Sequence, residues 1–211
     1  MKYFVAAILV ILILNNSNAQ TKLGIKLTPS IIAQRITNSN DSIGIAHEAN
    51  AFNPSVTLFA DMPLSRNYFF TTGIGYISKR VNLKVNASND NFSVNKSYNI
   101  QYVRLPATLK LYTNEIALDK KLYFHFGPIF DIVIHNKETN QSYPLINDFQ
   151  PIDIALIFGA GMEIQLAPQT ALQIGFNYSR GLINIVRKSE PAYESMAIKN
   201  DLYGIDVAIK F

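Results

Sequence analysis

From residue 21 onward, apolar and polar residues alternate with a period of two, and no stretch carries a convincing helical period. Successive side chains of a strand point to opposite faces, so this pattern predicts strands throughout. Eight are expected, at 21–34, 52–63, 67–80, 98–112, 121–135, 150–167, 170–181 and 199–211. The last is the clearest. Tyr203, Ile205, Val207, Ile209 and Phe211 share one face, while Gly204, Asp206, Ala208 and Lys210 share the other. Such a strand suits a place between lipid and a polar barrel lumen.

The connections fall into two classes. Three are short, around Leu64-Ser65-Arg66, Thr113 to Lys120, and Pro168-Gln169. Four are long, at 35–51, 81–97, 136–149 and 182–198. Long and short alternate in strict order. In an up-and-down barrel this gathers the long loops at one end and both termini with the short turns at the other. Short periplasmic turns, longer extracellular loops and an even strand count mark outer-membrane barrels. The expected fold is therefore all-β, an eight-stranded antiparallel up-and-down transmembrane β-barrel.

Charges fix which face looks inward. Phe124, Phe126, Phe130 and Ile132 oppose Tyr123, His125, Asp131 and Val133; Ile154, Leu156, Phe158 and Ile164 oppose Asp153, Gly159, Gly161 and Glu163. Val103, Leu105, Leu109 and Leu111 oppose Arg104, Thr108 and Lys110. A charge facing lipid costs up to about 2–4 kcal/mol near the midplane. A slip of one residue would expose those charges, so the register is strongly specified. Lys26, Arg104, Lys110 and Lys210 are expected to meet Asp61, Asp131, Asp153, Glu163 and Asp206 inside. Gly73, Gly75, Gly127, Gly159, Gly161 and Gly175 share the inward faces and leave room for the long charged side chains. A barrel of eight strands is just wide enough for side chains to fill, which predicts a plugged polar interior and no aqueous pore. Pro106 and Pro128 each remove a backbone donor, so a bulge or bend is expected at them.

The N-terminus sets the compartment. Lys2, the apolar run Tyr3 to Leu14, and Ser17-Asn18-Ala19 read as the charged, apolar and cleavage regions of a secretory signal peptide. Residues 1–19 are expected to be removed and 20–211 to form the barrel domain. The apolar run is shorter than the ~20 residues of a spanning helix. The chain has no cysteine, so no disulfide supports this exported domain. Charged residues are 16% of the chain against about a quarter in soluble domains, which suits a greasy outer wall. The basic residues are scattered and form no block, which argues against a nucleic-acid partner.

Candidate chemistry is sparse. Phe158-Gly159-Ala160-Gly161 and Gly73-Ile74-Gly75 lack the lysine and following helix of a phosphate loop. His47 and His135 fall in or near the predicted outer loops, with Ser42, Glu48 and Glu138 not far in sequence. A hydrolytic or acyl-transfer site at the rim would need a base within reach of its nucleophile. His125 is expected inside the barrel as a hydrogen-bonded filler. Within the second long loop, Val81-Asn82-Leu83-Lys84-Val85 and Phe92-Ser93-Val94 still alternate and are read as a hairpin extending the third and fourth strands beyond the bilayer. Lys79, Arg80, Lys84 and Lys96 there, with Arg187 and Lys188 in the last loop, are expected at the outer rim, near lipid phosphates or solvent. No residue is assigned a catalytic, cofactor-binding or metal role.

Three stretches bear a family resemblance. Tyr102-Val103-Arg104-Leu105-Pro106-Ala107-Thr108-Leu109-Lys110-Leu111-Tyr112 resembles the Y-x-x-x-P-x-x-x-K strand of PorT-like outer-membrane β-barrel proteins of Bacteroidetes. Tyr123-Phe124-His125-Phe126-Gly127-Pro128 resembles their following Y-x-x-x-G-P strand, and Phe158-Gly159-Ala160-Gly161-Met162-Glu163 their later G-x-G-x-E strand. The resemblance implies a small barrel in the bacterial outer membrane, surrounded by its lipid. Phe211 also resembles the terminal aromatic that the barrel-assembly machinery reads during insertion. One branch of the family serves a secretion and gliding apparatus, so envelope or secretion-system partners are implied for some members. Three roles stay open at this point: a structural or surface-interaction barrel acting through its long loops, an accessory subunit of a secretion or surface-assembly apparatus, and a rim-located enzyme acting on lipid or peptide.

Overall fold

A computed structural model describes residues 21–37, 43–47, 51–87, 93–138, 146–189 and 196–211. Eleven strands follow one another: β1 (Lys22–Thr37), β2 (Ile43–His47), β3 (Ala51–Pro63), β4 (Tyr68–Ala87), β5 (Ser93–Tyr112), β6 (Lys120–Glu138), β7 (Ile146–Phe149), β8 (Ile152–Ala167), β9 (Thr170–Gly181), β10 (Val186–Ser189) and β11 (Ala197–Lys210). Eight close a barrel in the order β1-β3-β4-β5-β6-β8-β9-β11, and β11 pairs back onto β1. Every pairing is antiparallel. The eight expected strands are present, and closure leaves no free edge along the membrane-spanning wall. Residues 1–19, expected to be a signal peptide, lie outside the described residues.

The alternation settles which face meets lipid. Ile205 is 55% exposed while Asp206 beside it is 2% exposed. The same division holds along β6, where Phe124 and Phe126 are exposed and Tyr123 and His125 are buried. A greasy exterior over a polar interior is the inverse of a soluble barrel, and it places this wall in hydrocarbon.

Three features qualify the sequence expectation. First, β4 and β5 pair continuously up to Asn86↔Ser93, past the bounds 80 and 98 of the spanning strands, as the hairpin read from the alternation beyond them. Second, β2, β7 and β10 lie within the segments read as long loops. Third, the prolines carry no bulge. Pairing between β5 and β6 skips residues 107 and 108, yet the register on either side, Pro106↔Ile129 and Leu109↔Phe126, has the same offset. A missing donor opens the ladder there without inserting a residue. The shift in register sits higher, between Gln101↔His135 and Tyr102↔Val133.

Candidate functional site: a filled lumen beneath a polar-walled crown

The inward charges assemble in tiers. At the short-turn end Asp61 accepts hydrogen bonds from Lys110 Nζ (2.8 Å to each oxygen) and Thr71 Oγ1 (2.5 Å). Glu163 accepts from Tyr112 Oη (2.7 Å), Gln173 Nε2 (2.7 Å) and Lys210 Nζ. In the middle Asp206 accepts from Thr28 Oγ1 (2.5 Å) and Asn177 Nδ2 (2.8 Å), with Lys26 Nζ and His125 Nε2 each 3.7 Å away. Above it, Arg104 makes a bidentate pair with Asp131 (2.8 Å twice), and Lys79 Nζ bridges Asp131 and Asp153 at 2.7 Å each. These five cations and five carboxylates neutralise one another across the lumen. A cavity of about 40 Å³ beside Lys26, Arg104, His125 and Asp206 has space for very few waters.

The resemblance-bearing residues explain themselves here. Tyr102, Lys110, Tyr123, Glu163 and the glycines between them all belong to the inward rows. A Cβ on Gly159 would run into His125 Nε2, and one on Gly161 would stand 2.6 Å from the Tyr123 hydroxyl. Lys110 Nζ lies 4.9 Å from the Phe59 ring centre and Lys79 Nζ 4.8 Å from that of Tyr102. The signatures are the packing code of a filled lumen.

Lys79 and Lys96 are corrections to the expected cationic rim. Both are buried, with Lys79 0% and Lys96 2% exposed, because their side chains take the inward rows of β4 and β5. Arg80 remains outside, as do Arg187 and Lys188, and Arg187 Nη1 lies 3.3 Å from Asp148 Oδ2.

The upper interior changes chemistry. Ile32, Ile77, Val81, Leu83, Tyr98, Ile100, Ile198 and Leu202 close into an apolar core above the ion pairs. The predicted polar filling therefore gives way to a mostly apolar one in the upper tier, where Lys96 and Asn200 are buried as well. On the same strands the outward residues become polar: Ser78, Arg80, Asn82 and Lys84 on β4, and Ser97, Asn99 and Gln101 on β5. Polarity inverts without any break in pairing, so this part of the wall is built like a soluble protein and stands in water. We call it the crown.

The crown wall is uneven. β4, β5 and β6 are tall, while β8 starts only at Ile152 and β9 stops at Gly181. A small panel fills the low side. β7 and β10 pair with each other, tied to the barrel by Ile185 N–H to Ile198 O (2.9 Å) and Val133 N–H to Pro151 O (2.9 Å). Asn184 Oδ1 accepts from the backbone N–H groups of Val186 (3.1 Å) and Ile198 (2.8 Å). The panel presses Ile146, Phe149, Ile185 and Val186 into the apolar core, with Phe149 edge-on to Tyr98 at 5.5 Å. Strands of four residues with shifted register leave little alternation to read. The signal that could have revealed them is the apolar content of segments read as loops, Leu145, Ile146 and Phe149 in one and Leu182, Ile183, Ile185 and Val186 in the other.

The histidines are not brought together. The backbone of His47 pairs with Leu83 on β4, and that of His135 pairs with Gln101 on β5. Three strand steps (about 14 Å) and five residues of height (about 16 Å) separate them. Ser42 and Glu48 lie outside the described residues. His125 fills the lumen as expected, but its Nε2 stands 3.7 Å from Asp206, beyond hydrogen-bond length. No group of His, Asp and Glu suited to a metal ion occurs among the described residues.

A closed eight-stranded barrel with a lipid-facing apolar wall and an ion-paired lumen defines a small outer-membrane protein. Its place is the bacterial outer membrane. Residues 18–187 match the outer membrane protein beta-barrel domain, and the chain belongs to that family. Two solved structures share the fold. OprG from Pseudomonas aeruginosa aligns at 11% identity and a TM-score of 0.56, over 92% of this chain and 96% of that one. Neisserial surface protein A aligns at 9% identity and a TM-score of 0.50, over 90% and 95%. No curated protein matches the chain.

Proposed function

We propose that this protein is a non-conducting, non-enzymatic surface barrel that presents its crown to a partner outside the cell. One observation carries the reading: the lumen is filled by ion pairs and an apolar core, while β4 and β5 extend about ten residues beyond the lipid band with polar side chains turned outward. A filled lumen leaves the outer surface of the crown as the place where the molecule meets anything other than lipid. Residues 1–19 act as the export signal in this reading.

The absence of cysteine supplies the test. A single cysteine at Asn82 or Ser97, both on the outer wall of the crown, gives a unique crosslinking handle on intact cells. Recovery of a surface partner from the crown, and none from a cysteine in the short turn at Ser65, is the expected result. Equal recovery from both positions overturns the reading. Steady conductance through the purified barrel in a planar bilayer also overturns it.

The PorT-like strand signatures favour a second reading, an accessory subunit of a secretion or surface-assembly apparatus. The same experiment separates the two, because this reading expects co-purified envelope proteins under mild solubilisation. A rim enzyme has less support, since His47 and His135 sit on separated parts of the wall; loss of a lipid or peptide hydrolase activity on His135→Ala is the result that would restore it.

A further inference from the structure

Three cations and a carboxylate cluster on the outer face where the apolar band ends. Arg180 lies two residues above Tyr178 on β9, Lys199 and Asp201 lie above Tyr203 on β11, and Arg35 lies on the adjacent β1. The register places Arg180 opposite Asp201 and Lys199 opposite Arg35. Directly opposed residues bring their Cβ atoms within about 4.5–5.5 Å, so the four side chains form one patch.

The patch is organised. Arg35 donates from Nε to Asp201 Oδ2 (2.8 Å) and from Nη2 to Asp201 Oδ1 (3.0 Å) and Gly181 O (2.6 Å). Asp201 also accepts from Gly181 N–H (3.1 Å) and Tyr178 Oη (3.4 Å). Its oxygens are thus occupied, and one negative charge stands against three positive ones. Arg180 is exposed, and the Arg35 side chain is 40% exposed.

Depth decides the ligand. Just below the cations Tyr178 and Tyr203 stack at 5.0 Å, and below them Phe176, Ile205 and Ile174 face outward. Paired tyrosines over an apolar strip mark the membrane–water interface. A group held by the cations therefore sits at headgroup depth, with its acyl chains along the strip beneath.

We propose that Arg35, Arg180 and Lys199 bind the phosphate groups of an outer-leaflet lipid headgroup. Asp201 and Gly181 O take Arg35 Nε and Nη2, which fixes that guanidinium and leaves its Nη1 for the headgroup, so the paired contact falls to the exposed Arg180. Guanidinium groups match phosphate oxygens with paired hydrogen bonds, which makes arginine the suited residue. A lipid is favoured over free phosphate because exposed cations alone bind an ion weakly in water, whereas the tyrosines and the strip add apolar contact. The inference rests on the outer-membrane placement and is independent of the crown's partner.

The test uses the full folded chain in detergent, mixed with diphosphorylated lipid A, with lipid A stripped of phosphate, or with inorganic phosphate, and read by native mass spectrometry. The expected result is retention of the phosphorylated lipid, at least ten-fold less of the stripped lipid, and no retained inorganic phosphate. Arg180→Gln with Lys199→Gln should lower retention of the phosphorylated lipid about ten-fold, while Lys188→Gln leaves it unchanged. Lys199→Gln alone, with a smaller loss of about three-fold, serves if the double variant does not fold. Retention by the folded double or single variant equal to that of the unaltered protein overturns the proposal, as does equal retention of the stripped lipid.

Discussion

Lys79 offers the sharpest test of how the lumen is held. Its ammonium bridges Asp131 and Asp153 at 2.7 Å each and is fully buried. At an effective dielectric of about 20, each contact is worth roughly 6 kcal/mol of attraction before desolvation is subtracted. Lys79→Met keeps the chain length and removes the charge. Asp131 keeps its bidentate Arg104. Asp153 keeps only Asn200 Nδ2 at 3.4 Å, and its Oδ1 has no partner. The variant therefore leaves one buried carboxylate uncompensated, a change that costs about 3–5 kcal/mol. Adding Asp153→Asn removes that charge and should recover most of the loss, leaving a deficit of about 1 kcal/mol, because replacing a whole buried pair is often close to neutral. Urea unfolding in detergent micelles, followed by far-UV circular dichroism and by gel mobility without boiling, reads both. The reasoning fails if the double variant is as unstable as Lys79→Met, since the damage would then come from lost packing and not from a stranded charge.

Other consequences can be checked in the same assay. Gly159→Ala should destabilise by about 1–3 kcal/mol through overpacking against His125, and His125→Ala in the same chain should relieve it; no relief would place the strain elsewhere. Phe176→Arg, on the lipid face, should cost about 2–4 kcal/mol, whereas Asn82→Arg on the crown should stay within about 0.5 kcal/mol; equal costs would remove the boundary drawn between lipid and water. Phe149→Ala should cost about 3–5 kcal/mol if the β7–β10 panel is part of the core, and near zero if it is a loose flap. Deleting Phe211, whose N–H bonds Leu23 O at 2.7 Å across the closing seam, should lower outer-membrane levels more than removing a single loop residue such as Leu182; normal levels would refute a role in assembly.

The membrane-level barrel was legible because two constraints agree there. Apolar residues face lipid, charges face inward, and a slip of one residue violates both. The crown's hairpin was legible in the unbroken alternation of Val81 to Val85, but its apolar interior was not, because the greasy face changes sides there. On β4 the inward row runs Gly73, Gly75, Ile77, Lys79, Val81, Leu83, and the outward row runs Ile74, Tyr76, Ser78, Arg80, Asn82, Lys84. The period never changes, but the identity of the greasy face does. Without that change of face Lys79 reads as a rim cation, although its row points inward. On β11 the same inversion, at Leu202 and Tyr203, lies inside the expected strand 199–211, which matches the observed Ala197–Lys210 to within two residues. The outer cluster was hidden for a different reason. Arg35, Arg180 and Lys199 are remote in sequence, and only the registers of β1, β9 and β11 make them neighbours.

The inversion has a mechanical consequence. The crown acts as a rivet head. If the barrel slid toward the periplasm, Ser78, Arg80, Asn82 and Lys84 would enter hydrocarbon, and the cations alone would resist by up to about 2–4 kcal/mol each at the midplane. If it slid outward, the apolar strip from Ile25 to Leu58 would be drawn into water. The molecule is thus held at one depth by opposed penalties, and a surface carried on the crown keeps a fixed height above the cell. Insertion must move those polar side chains through the bilayer once, so the feature that fixes the final depth also slows assembly and departure alike.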